Sequence, residues 1–134
     1  MKWLGLVLAA LVGVAIWVRV APSEPSRWHV PVSGEGDAAF KAGVRRVIAG
    51  DAAVMARLDA IIRATARTRV LAGSVAEGRI TYVTRSALWG FPDYTTVELR
   101  DGQIAILGRL RFGRSDLGVN KARVDGWLKA LAQG

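Results

Sequence analysis

The chain has 134 residues and carries 19 Lys and Arg against 11 Asp and Glu, a formal charge of +8 at pH 7. That length accommodates one ordinary domain and excludes a multidomain enzyme. Cysteine is absent, which excludes disulfides, thiolate metal sites and a thiol nucleophile, and the lone His29 excludes a paired-histidine zinc or di-iron motif.

Trp3 to Val18 is an unbroken run of 16 apolar or glycine residues, preceded by Lys2 and followed by Arg19. At about 1.5 Å per residue, and with Arg19 snorkelling so that Val20 and Ala21 join the run, it spans roughly 28 Å, close to the ~30 Å of a bilayer core. Trp3 and Trp17 fall near opposite ends, where indoles settle at headgroup level. Gly13, Val14 and Ala15 also resemble a signal-peptidase site, but cleavage there would leave a mature chain starting at Ile16 and Trp17. Length and flanks favour an uncleaved signal-anchor over residues 1–21. Lys2 and the free amine slightly outweigh Arg19, so the positive-inside rule keeps the N-terminus cytoplasmic and places the domain on the periplasmic face of the inner membrane.

Residues 22–34 are rich in Pro and Ser and are expected to form an extended linker. The domain proper is expected over residues 35–134. Asp37 as N-cap, Phe40, Val44, Val47 and Ile48 on one stripe and Gly50 as terminator predict a helix. Asp51 caps a second, with Val54, Leu58, Ile61 and Ile62 as its stripe and Arg57, Asp59 and Arg63 beside it.

From Thr68 the period becomes alternating. Strands are expected over 68–72 and, after turn residues 74–78, over 79–88. Residues 89–93 turn the chain into a strand over 94–100, whose alternation predicts a sheet with one buried face. Asp101-Gly102 signals a tight hairpin into a strand over 103–111, and a last helix runs from Asp116 to Leu131 on a stripe of Leu117, Val124, Trp127, Leu128 and Leu131. These elements predict an α+β domain, a four-stranded antiparallel meander with helices packed on one face.

Asn120 falls inside the last helix's apolar stripe, where a carboxamide must find partners; a clamp that docks the helix is expected. Arg85, Arg109, Arg111, Arg114 and Lys121 could converge near that helix start as an anion pocket. Ion pairs with Asp93, Glu98 and Asp116 are the competing explanation. Trp89 and Phe91 either plug the end of the sheet or stand as exposed anchors.

No nucleophile elbow, P-loop or HExxH motif is present, and no cofactor or metal is expected. Residues 21–134 carry 17 of the basic groups, but dispersed through every element, so no nucleic-acid partner is expected.

The run GRITYVTRSALWGFPDYTTVELR, followed by IAILGRLRFGRSDLGVNKAR, resembles the domain-of-unknown-function 1499 family. The matching positions are Thr84, Arg85, Phe91, Asp93, Arg109, Arg111, Ser115, Asp116, Gly118, Val119, Asn120, Lys121 and Arg123. Tyr94 stands where many members carry a second acid. The resemblance implies a small bacterial domain, often membrane-attached, and implies no reaction.

The function expected from these readings is a membrane-anchored, non-catalytic envelope domain that binds an anionic ligand, a lipid headgroup or a protein partner. Its candidate site comprises Arg85, Asp93, Arg109, Arg111, Arg114, Ser115, Asp116, Asn120, Lys121 and Arg123. The alternative is a hydrolase-like enzyme with Asp93 or Asp116 as general base and arginines holding an anionic substrate.

Overall fold

The computed structural model describes residues 1–134. Helix α1 (Lys2–Val20) leaves its apolar side chains exposed along most of its length and is long and apolar enough to cross a membrane, a test that a signal sequence also passes. Only its end is buried: Val18 is 2% exposed and the following Ala21 is 4% exposed. Segment 22–34 is not purely extended. Pro25, in the first turn where a missing N–H costs nothing, opens the one-turn helix α2 (Pro25–Trp28).

The predicted first helix does not exist. Its residues form β1 (Ala38–Phe40) and β2 (Gly43–Ala49), an antiparallel hairpin. Val44, Val47 and Ile48 fit a helical stripe, yet β-branched residues favour the pleat, and alternation puts Val44 and Ile48 on the core side with Arg46 between them. Asp37 does not cap a helix; its Oδ1 accepts from the Val47 N–H at 2.9 Å, continuing the ladder beyond the short edge strand.

The second helix forms as expected. Asp51 accepts from the Val54 N–H at 3.0 Å, and α3 (Ala52–Arg63) buries Met55, Leu58 and Ile62. Strands β3 (Thr68–Ser74), β4 (Arg79–Arg85), β5 (Pro92–Arg100) and β6 (Gln103–Leu110) make the expected meander. Strand β4 stops at Arg85, short of Leu88, because residues 86–91 close on themselves: the Ser86 N–H reaches the Phe91 carbonyl at 3.0 Å and the Phe91 N–H reaches Ser86 Oγ at 3.0 Å. Asp101 and Gly102, both at positive φ, make the tight β5–β6 turn.

The sheet has six strands rather than four, in the order β1-β2-β6-β5-β4-β3, because the β1–β2 hairpin adds to the β6 edge. Helix α4 (Val119–Gln133) starts three residues later than expected. Leu117 and Gly118 take positive φ and break the turn, so Leu117 is 91% exposed instead of joining the stripe. Val124, Trp127 and Leu131 are buried with α3 against Val44, Ile80, Tyr82, Val97, Ile104 and Ile106.

The other face of the sheet is buried too. Trp28 stacks on Tyr94 with centroids 3.9 Å apart and planes at 10°, beside Val83 and Leu71. Tyr94 to Glu98 are therefore buried on both sides of β5.

Candidate functional site

The expected anion pocket required five basic residues to meet; they separate instead. Arg109 and Arg111 point from the β6 end to the α2 face, where Arg109 donates to the Trp28 carbonyl and, at 3.1 Å, to Thr96 Oγ1, and Arg111 donates to the Pro22 carbonyl at 2.8 Å and Tyr94 Oη at 3.0 Å. Burial without a carboxylate partner pulls the Arg109 guanidinium down to about 10. Lys121 pairs with Asp125 at 3.1 Å, and Arg114 is exposed.

Asp93, Asp116, Asn120 and Arg123 do assemble, at the start of α4. Arg123 donates to Asp93 Oδ2 and to Asn120 Oδ1, each at 3.1 Å. Asp116 accepts from the Asn120 side chain at 2.9 Å and from the Gly118 and Asn120 amides at 2.9 and 3.0 Å. Ser115 Oγ accepts from the Leu117 N–H at 3.2 Å. The Asn120 carboxamide is thus a clamp held by the side chains of Asp116 and Arg123, with no loop backbone partner. Gly108 lets it close on β6: a Cβ there would stand 3.0 Å from Asn120 Oδ1. Burial pushes the Asp93 carboxyl above its ordinary value despite Arg123. Burial acts upward on Asp116 as well, but the bonds from Asn120 and Gly118 and the Arg123 charge outweigh it and hold that carboxyl low. His29 bridges Thr81 Oγ1 and Glu77 Oε1, each at 2.9 Å, and no three His, Asp or Glu side chains group as metal ligands.

A cationic site does exist, built around Arg85 with partners that sequence reasoning missed. Arg19, Arg67, Arg69 and Arg85 line a cleft of about 460 Å3 with Thr68 and Ser86, and no acidic side chain lines it. None of the four arginines pairs with a carboxylate anywhere in the chain. Arg85 donates to the Val18 carbonyl at 3.2 Å and the Gly90 carbonyl at 2.9 Å, so it caps the negative end of α1 and ties it to the 86–91 turn. Arg19 donates to the Leu88 carbonyl at 3.0 Å, and Arg67 Nε to the Arg85 carbonyl at 3.0 Å. Each bond uses part of a guanidinium's donor set, and Arg69 makes none within the chain, leaving N–H groups free for an anion.

Arg69 could have been added to Arg85 from strand parity, since both fall on one face of adjoining strands. Arg19 could not, because it lies on a separate helix. A wider hollow at the opposite end of the sheet, about 620 Å3, mixes Glu35 and Asp101 with Arg100 and carries no single sign. Trp89 and Phe91 remain 50% and 39% exposed, and they line a groove against α1 rather than plugging the sheet.

The fold and site define a small α+β domain carried behind an apolar N-terminal helix, with an arginine cleft where the two meet. The chain belongs to the family described as proteins of unknown function, DUF1499, whose model matches residues 24–131. No curated protein matches it.

Proposed function

We propose that the chain is a membrane-anchored envelope protein whose domain binds an anionic ligand in the Arg19-Arg67-Arg69-Arg85 cleft without transforming it. Helix α1 is the anchor in the inner membrane, and the domain works on the periplasmic face. The observation that carries the reading is a cleft lined by four arginines, with no acidic residue in its lining and no carboxylate paired with any of them. Arg67, just before β3, is tied to Arg85 by two hydrogen bonds, the Arg85 N–H to the Arg67 carbonyl and Arg67 Nε to the Arg85 carbonyl, each at 3.0 Å, and two like charges brought so close repel until an anion joins them. Phosphate and carboxylate match guanidinium forks in shape and charge. A non-catalytic role is supported by the two carboxylates that could act as a base: Asp93 is engaged by Arg123 and Asp116 by the start of α4, and neither lines the cleft.

Calorimetric titration of the full-length protein in non-ionic detergent with glycerol phosphate tests this. The double variant Arg67→Ala, Arg69→Ala is expected to bind about tenfold or more weakly, since two charge-assisted bonds are lost. Lys129→Ala, on the exposed side of α4, should bind as the parent does. Absence of binding, or binding indifferent to the arginines, overturns the proposal.

A further inference from the structure

We infer that the anion held in this cleft is the headgroup of an anionic phospholipid, the upper part of one of whose acyl chains lies in the apolar groove between α1 and the 86–91 turn. The inference rests on the binding function proposed above and names its ligand class. The groove encloses about 220 Å3 between Leu11, Val14, Ala15 and Val18 of α1 and Trp89 and Phe91 of the turn, with no polar residue in its wall. Gly90, between those two aromatics, lines the arginine cleft. A Cβ on Gly90 would stand 3.1 Å from Arg19 Nε, so the cationic cleft and the apolar groove are two sides of one turn. Charged donors abutting a dry channel suit a molecule with a phosphate at one end and hydrocarbon at the other; a free phosphate would leave the groove unused.

The depth of the groove points the same way. Leu11 precedes Val18 by seven residues, about 10 Å along the helix axis. With α1 seated in a bilayer, the groove lies at acyl-chain depth and the arginines at headgroup level. Helix α1 has 19 residues, a length of about 28 Å, against a hydrocarbon core of about 30 Å, and domain packing already claims its Val18. No free length separates bilayer from domain, so the base of the domain rests on the lipid.

That base is apolar where it would touch. Leu88 is 74% exposed and Leu117 is 91% exposed. Their loops leave the same end of the sheet, because Leu110, before the second loop, pairs with Asp93, and Pro92, after the first, pairs with Arg85. Guanidinium groups near an anionic leaflet gain about fivefold each in binding, which favours an acidic lipid over a zwitterionic one.

Native mass spectrometry of the full chain in non-ionic detergent, with equal amounts of dioleoyl phosphatidylglycerol and dioleoyl phosphatidylcholine, tests the inference alongside glycerol phosphate titration. The parent is expected to retain phosphatidylglycerol about tenfold over phosphatidylcholine, and Arg67→Ala, Arg69→Ala to lose that preference. Trp89→Ser and Leu88→Ser, both at exposed positions, should lower lipid retention while glycerol phosphate binding stays unchanged. Equal retention of the two lipids, or a preference that neither set of variants alters, overturns the lipid inference. If glycerol phosphate binding remains and still needs the arginines, the anion-binding function stands and only the lipid falls; if that binding is absent as well, both fall.

Discussion

On one face of the sheet, α3 and α4 bring Met55, Leu58, Ile62, Val124 and Trp127 onto Ile80, Val97, Ile104 and Ile106. On the other, the cover is the 22–34 segment, with one turn of helix, Trp28 stacked on Tyr94, the buried Val32 and a partly buried Arg109. The first face is an ordinary apolar core, in which many side chains share the burial and loss of one leaves the rest in place. The second concentrates its burial in Trp28 and meets its polar demands with Arg109, which reaches the Trp28 carbonyl and Thr96. It is the face that joins the domain to α1, through Val18, Ala21 and the Ser23–Tyr94 hydrogen bond of 2.6 Å. A thin cover held by few groups couples a local change on this face directly to α1.

The sharpest way to break this contrast is Trp28→Ala. Losing the ring from Tyr94 is expected to cost about 3–5 kcal/mol, and thermal unfolding in detergent measures it. Trp28→Phe keeps the stack and removes Nε1, the one buried side-chain nitrogen or oxygen without a partner, so it should cost less than about 1.5 kcal/mol. Equal losses for the two variants would mean that stacking is not what closes this face.

A smaller effect separates two arginines. Arg109→Met strands buried acceptors on the α2 face and is expected to cost about 1–3 kcal/mol. Arg46→Met, whose partner Asp125 is partly open to solvent, is expected to cost less than about 1 kcal/mol. Chemical denaturation of the two variants compares them; the reverse ranking would erase the distinction between the faces.

The smallest effect is on pH dependence and belongs to the helix-covered face. The hydrogen bond from Arg46 and the nearby Lys121 hold Asp125 low, and Asp116 is held low at the α4 start, so both are more acidic folded than unfolded. Their contribution is present above the unfolded carboxylate value of about 3.9 and is lost as pH falls through the lower folded values. Asp93 has the opposite sign: raised by burial, it favours the fold in its protonated form, a benefit lost as pH rises through its folded value. Asp125→Asn should therefore flatten the acid limb of a stability profile, and Asp93→Asn should steepen it.

Much of the fold was legible in the sequence because local and tertiary demands agreed. Asp51 capped α3, Asp101-Gly102 turned the hairpin, and alternation marked the meander. The β1–β2 hairpin was misread because Val44, Val47 and Ile48 fit a helical stripe, while Arg46 interrupts the apolar alternation of Val44 and Ile48, and only β6 as a neighbour decides between the two periods. The α4 cluster was legible as a polar motif at one helix start. Of the arginine cleft only Arg85 was legible, because Arg19 near the end of α1 and Arg67 just before β3 are brought to the end of β4 by contacts that no local pattern encodes.

The junction between α1 and the domain has no hinge. Arg85 holds the Val18 carbonyl, Arg19 holds the Leu88 carbonyl, and the chain continues buried through Ala21. Helix α1 and the domain are thereby joined directly, with no free linker between them. If α1 is the membrane anchor proposed above, a lipid reaches the cleft by lateral diffusion in the plane of the membrane, a two-dimensional search set by surface density rather than by bulk concentration.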